Sequence, residues 1–194
     1  MGPAATAALQ SLAALSAFGY LRVQAAGMTG PIRLIKLAPA LLLAAGLSDR
    51  PLLLVGFVFY ALGDLLLLDK ARWFLAGLAA FLVGHGLVIS GLLASGTPTG
   101  LALGLTAPLG IAMVVLLWPA LRGPLRVAVP IYAATLMMLV WAATARSPLA
   151  TVGAVVFLAS DALLAWEHFR RPIPGGHTGV LVTYYAAIGL IAAG

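Results

Sequence analysis

Phe59-Tyr60-Ala61-Leu62-Gly63-Asp64-Leu65-Leu66-Leu67-Leu68 places one carboxylate inside an otherwise unbroken apolar run. The pattern returns at Val156-Phe157-Leu158-Ala159-Ser160-Asp161-Ala162-Leu163-Leu164, with an aromatic, apolar residues, one tiny residue, aspartate and then leucines. An acid among leucines that face lipid or a dry interior costs several kcal/mol unless it is paired, hydrated or protonated. Each aspartate is therefore a candidate functional residue, and the matching contexts strengthen the case. Gly63 and Ser160, directly before the acids, permit close approach of a neighbouring helix or a substrate.

The surroundings of these stretches set the class of protein. The chain has 194 residues, of which 63% are hydrophobic and 8% charged, whereas soluble domains carry roughly 25% charged residues. Apolar runs of about 16 to 22 residues, close to what a hydrocarbon layer requires, alternate with short charged connections. They cover Ala4–Leu21, Ile32–Leu47, Leu52–Leu68, Trp73–Leu93, Leu101–Leu121, Val127–Ala145, Leu149–Trp166 and Gly179–Ala193. The expected fold is thus an all-α membrane protein, an eight-transmembrane-helix bundle forming a single integral membrane domain over residues 1–194. The first run lacks the basic leader of a signal peptide and is read as a helix. With no cysteine, disulfides, thiolate metal sites and cysteine nucleophiles are excluded.

The formal net charge of +6 does not imply nucleic-acid binding, because the basic residues are scattered between apolar runs. There they act as topology signals and contacts to anionic membrane lipids. Arg22, Arg33, Lys36, Lys70, Arg72, Arg122, Arg126, Arg170 and Arg171 lie in one set of alternate connections, and only Arg50 and Arg146 in the other. The richer set is expected to be cytoplasmic, with both termini outside, in the multi-pass topology of a cell (inner) membrane protein.

Gly30-Pro31-Ile32-Arg33 and Gly123-Pro124-Leu125-Arg126 are offset by 93 residues, and the two aspartate segments by 97. Both offsets fit two parallel four-helix halves, residues 1–98 and 99–194. A bias toward Leu, Ala and Gly is the competing explanation of the matches.

Depth follows from a helical rise of ~1.5 Å per residue. Asp64 and Asp161 then lie ~6 to 7 Å inside the cytoplasmic boundary, and Lys36, Tyr132 and Tyr184 ~7 to 11 Å from the same face. His85 falls ~20 Å deep and is assigned to the floor of a pocket. The plainer readings are structural ion pairs for the aspartates, snorkelling for Lys36, and helix packing for His85, Tyr132 and Tyr184. There is no G-x-S-x-G, H-E-x-x-H or Walker glycine loop. The depth of His85 argues against a metal held with the aspartates, so no metal or other cofactor is expected. Carboxylate acid/base chemistry and ion-coupled transport remain.

Lys36 with Pro39, Gly63-Asp64 with its leucines, Phe81 with His85, Val155 through Leu164, and Thr183-Tyr184-Tyr185 resemble the YhhN-type lysoplasmalogenase family. The resemblance covers nearly the whole chain and departs from the family's pattern at Leu37, Val88 and Ile188. It implies hydrolysis of the vinyl ether bond of lysoplasmalogens, with a lysophospholipid as substrate and a fatty aldehyde and a glycerophospho-alcohol as products. Such hydrolysis begins with protonation of the alkene carbon and passes through an oxocarbenium-like cation that water captures. Two neighbouring buried carboxyl groups divide these tasks, one giving the proton and one remaining an anion, as in glycoside hydrolysis. Asp64 and Asp161 are the expected catalytic pair. Tyr132, Tyr184 and His85 are expected to orient water or the glycerol hydroxyl, Lys36 to hold a carboxylate ionised or reach a phosphate, and Arg33 to bind the headgroup. The competing class is a small proton- or cation-coupled transporter built on the two aspartates; a third reading is a Schiff-base pigment on Lys36.

Overall fold

The computed structural model describes residues 2–194, and among them there is helix but no strand. The helices are α1 (Pro3–Ala25), α2 (Ala38–Gly46), α3 (Pro51–Leu66), α4 (Lys70–Leu93), α5 (Leu101–Leu117), α6 (Leu125–Ala143), α7 (Pro148–Phe169) and α8 (Gly176–Ala193). Three 3-10 segments accompany them: Gly30–Leu37 before α2, Leu67–Asp69 between α3 and α4, and Trp118–Ala120 after α5. Prolines stand in the first turns of α1, α2, α3 and α7, where the missing amide hydrogen costs no intrahelical bond. Ser147 caps α7 by accepting from the Ala150 amide at 3.1 Å.

The expected eight crossings are not matched one for one. Among the described residues six helical stretches are long and apolar enough to cross a membrane, and 51–93 counts among them as one. Counted that way the described residues form seven helices. The second expected span is the reason for part of the difference: its first half is the 3-10 segment, and α2 has only nine residues, ~14 Å of helix. Pro39 explains the break, since it has no amide hydrogen to offer the carbonyl of Ile35. The protein is a multi-pass, all-α membrane protein.

The chain forms two compact units that divide between Gly91 and Leu92. In the first, α3 and α4 fold back on one another. Leu53 faces Gly91, Gly56 faces Gly84 and Val88, Gly63 faces Phe81, and Leu67 faces Gly77. The glycines set this approach: a methyl group on Gly56 would stand 2.7 Å from Val88 Cγ2 and 3.0 Å from the Gly84 carbonyl oxygen. α4 therefore runs about two turns before it draws level with Leu67.

In the second unit α7 and α8 form a corresponding hairpin, joined through Gly153 against Ala187 and Ile191 and through Phe157 against Tyr184. A methyl on Gly153 would stand 2.9 Å from both the Ala187 carbonyl oxygen and the Ile191 amide nitrogen. These are backbone atoms of the facing helix and cannot rotate away. Gly153→Ala is expected to destabilise by ~1–3 kcal/mol, read as a lower Tm of the purified protein. Gly189→Ala on α8, where a methyl meets nothing within 4 Å, is expected to leave Tm unchanged or raise it. Equal behaviour of the two variants would remove the close approach as the cause.

Candidate active site

In the first unit the 3-10 segment does more than interrupt a helix. Its three-residue turn brings residues i and i+3 onto one side, so Arg33 and Lys36 both extend toward the C-terminal end of α3. Arg33 donates from Nη2 to the Leu68 carbonyl at 3.1 Å. Lys36 Nζ lies 3.0 Å from Asp64 Oδ1 and donates to the Asp64 carbonyl at 3.2 Å. Asp64 is 2% exposed and Lys36 7%. The ammonium thus faces both a carboxylate and the carbonyl end of a helix, where the backbone dipole favours a cation. Snorkelling of Lys36 to the interface, the plain reading, does not describe this buried geometry.

His85 occupies a different place from the one its distance along α4 suggested. Fully buried, it pairs through Nδ1 with the Tyr60 hydroxyl at 2.7 Å, with Phe81 alongside. Tyr60 precedes Asp64 by one helical turn, so His85 stands about 6 Å along the axis from the level of Asp64, not the ~14 Å implied by counting from Arg72. The overhang of α4 beyond Leu67 accounts for the error. Tyr60 is the residue that sequence reading missed; the signal was its position four residues before the acid.

The second unit holds the other acid. Asp161 Oδ2 accepts a hydrogen bond from the Tyr132 hydroxyl, joining α7 to α6. Tyr184 packs edge-on against Phe157, with ring centroids 5.5 Å apart, one turn before Asp161. Ser160 is fully buried and donates to the Val180 carbonyl at 3.0 Å. The small residues before the acids therefore serve helix approach: Gly63 admits the ring of Phe81, and Ser160 bonds α8. Among the described residues, no three of His, Cys, Asp and Glu gather as metal ligands would.

Fold and side chains together define a membrane protein with a carboxylate in each of two helical hairpins: Asp64, buried and ion-paired, and Asp161, bonded to a phenol and, against the expectation from its apolar run, only partly buried. The chain belongs to the YhhN family, whose profile matches residues 28–194. It is 33% identical over 161 residues to a protein named lysoplasmalogenase TMEM86B from Homo sapiens, a match covering 79% of this chain and 70% of that one. To lysoplasmalogenase TMEM86A from Bos taurus it is 34% identical over 152 residues, 71% of this chain and 62% of the relative. The match thus spans less than two thirds of TMEM86A. No solved structure matches the chain.

Proposed function

We propose that this protein hydrolyses the vinyl ether bond of a lysoplasmalogen, releasing a fatty aldehyde and a glycerophospho-alcohol. The observation that carries the reading is the Asp64–Lys36 ion pair, a desolvated charge pair of a kind that folding alone does not require, in a chain similar to proteins named lysoplasmalogenase. Asp64 and Asp161 together supply the proton and the anion. A proton passes to the alkene carbon, and the oxocarbenium-like centre at the adjoining carbon is stabilised by carboxylate charge. Water adds there and gives up its proton to a carboxylate. The hemiacetal hydroxyl then gives its proton to a carboxylate as its oxygen becomes the aldehyde carbonyl, and the glycerol oxygen takes a proton as its bond to that carbon breaks. Lys36 balances negative charge on Asp64, and Tyr132 holds Asp161 in orientation. His85 shapes the surroundings of Asp64 and Tyr184 those of Asp161, while Arg33 lies at the headgroup end.

The topology belongs to the same proposal. All eight apolar segments cross the inner membrane, the stretch 51–93 doing so twice, with both termini outside and the acids toward the cytoplasmic leaflet. Two parallel halves, 1–98 and 99–194, are supported by repeated local detail. Gly30 and Gly123 both have positive φ before proline, at 81° and 53°, and Gly56 and Gly153 mark the close approach in each hairpin at an offset of 97.

Aldehyde release tests the function directly. The purified protein is expected to convert a lysoplasmalogen and to leave the corresponding saturated alkyl ether untouched, because that lipid has no alkene carbon to protonate. Absence of aldehyde, together with solute uptake in proteoliposomes, would instead establish the transporter reading.

A further inference from the structure

We propose that Arg122, Arg126 and Arg170 bind the phosphodiester headgroup of an anionic membrane lipid, at a site separate from Asp161, which lies on α7 nine residues before Arg170. The three residues come from different parts of the second unit and converge on one short stretch of backbone. Arg122 donates from Nη1 to the carbonyl oxygens of Pro119 at 2.8 Å and Leu121 at 3.0 Å. Arg126 donates from Nε to the same Leu121 oxygen at 3.3 Å. Arg170, at the C-terminal end of α7, donates to the carbonyl of Leu116.

Capping the end of α5 does not account for this. A helix C-terminus presents about half a negative charge, and three guanidiniums bring three positive ones. Two of them share one carbonyl oxygen, which holds their donor nitrogens within about 6 Å of each other, a distance at which like charges repel. The carboxylate nearest in sequence is Glu167, whose Oε1 accepts from the Ile173 amide at the turn into α8. The geometry is one that a bound anion relieves, since each guanidinium keeps further N–H groups and arginine suits the paired oxygens of a phosphate.

The surroundings identify the anion as a lipid. Arg126 lies over the ring of Trp118, 5.7 Å from its centroid, and Trp118 is exposed, as aromatic residues at a headgroup layer are. Leu117, Leu121 and Val129 form an apolar cluster at the same end, and Val115, Leu116 and Val127 present exposed aliphatic surface beside it. That surface accepts acyl chain. A zwitterionic headgroup would bring its own cation among the arginines, so a lipid of net negative charge fits better.

The test uses the full chain in nanodiscs of phosphatidylcholine containing a graded fraction of phosphatidylglycerol, followed by native mass spectrometry of retained lipid. The wild type is expected to keep phosphatidylglycerol in preference to phosphatidylcholine, and R122Q/R126Q to weaken that preference at least tenfold. Arg72→Gln, in the first unit, is expected to leave it unchanged. Raising salt from 0.1 M to 1 M is expected to release the lipid from the wild type, which gives a reading even if the double variant fails to fold. Equal retention of phosphatidylcholine, displacement by inorganic phosphate at matched concentration, or indifference to salt would each overturn the proposal. The readout is binding alone, so it stands or falls independently of vinyl ether hydrolysis.

Discussion

Lys36→Met is expected to lower the stability of the purified protein by about 3–5 kcal/mol, because it removes the ammonium that lies 3.0 Å from a carboxylate only 2% exposed. The loss is of that size because the remaining charge is stranded: Asp64 must keep its charge inside an apolar hairpin or take up a proton, and both are costly. The double variant K36M/D64L is expected to recover most of the loss, since an apolar pair of similar volume has no charge to compensate. A thermal unfolding series in one detergent, comparing wild type, both single variants and the double variant, measures the coupling. If the double variant is no more stable than Lys36→Met alone, the ion pair is not what couples the 3-10 segment to α3.

This pair also marks how far the sequence could be read. The acids were visible because Asp64 and Asp161 interrupt long apolar runs, although only Asp64 is buried and Asp161 is partly exposed, and the close helix approaches were visible in Gly63 and Ser160. Helix content followed from the run lengths. The 3-10 geometry of Gly30–Leu37 was hidden, because Ile32–Leu47 has the composition of a continuous span and only Pro39 signals that its ladder fails. Yet that geometry puts Arg33 and Lys36 on one side. The Tyr60–His85 bond was hidden for another reason: it depends on the register of α3 against α4, and counting residues from the charged connection does not give register when one helix overhangs the other. Tyr132 was noted by its depth, but its bond to Asp161 depends on how α6 packs on α7, which composition does not encode.

Asp64→Asn and Asp161→Asn are each expected to reduce lysoplasmalogen turnover by ~10²–10⁴-fold, the usual range for removing a group that transfers a proton in the rate-determining step. The substitutions keep the side-chain shape. In Asp161→Asn the amide oxygen can still accept from Tyr132, so a large loss there reports the missing carboxyl and not a collapsed contact. In Asp64→Asn the Lys36 ammonium is left uncompensated, so that variant is to be compared with K36M/D64N, in which the positive charge is also gone. Tyr132→Phe, which removes only the bond to Asp161, is expected to cost far less than Asp161→Asn. The decisive comparison is D64N/D161N: if the two carboxyl groups serve one step, the first loss already forfeits most of what both provide, and the double variant should be hardly slower than either single one. Multiplying effects would mean separate steps or a structural part for one acid. Turnover within tenfold of wild type in either folded single variant would take that aspartate out of the reaction.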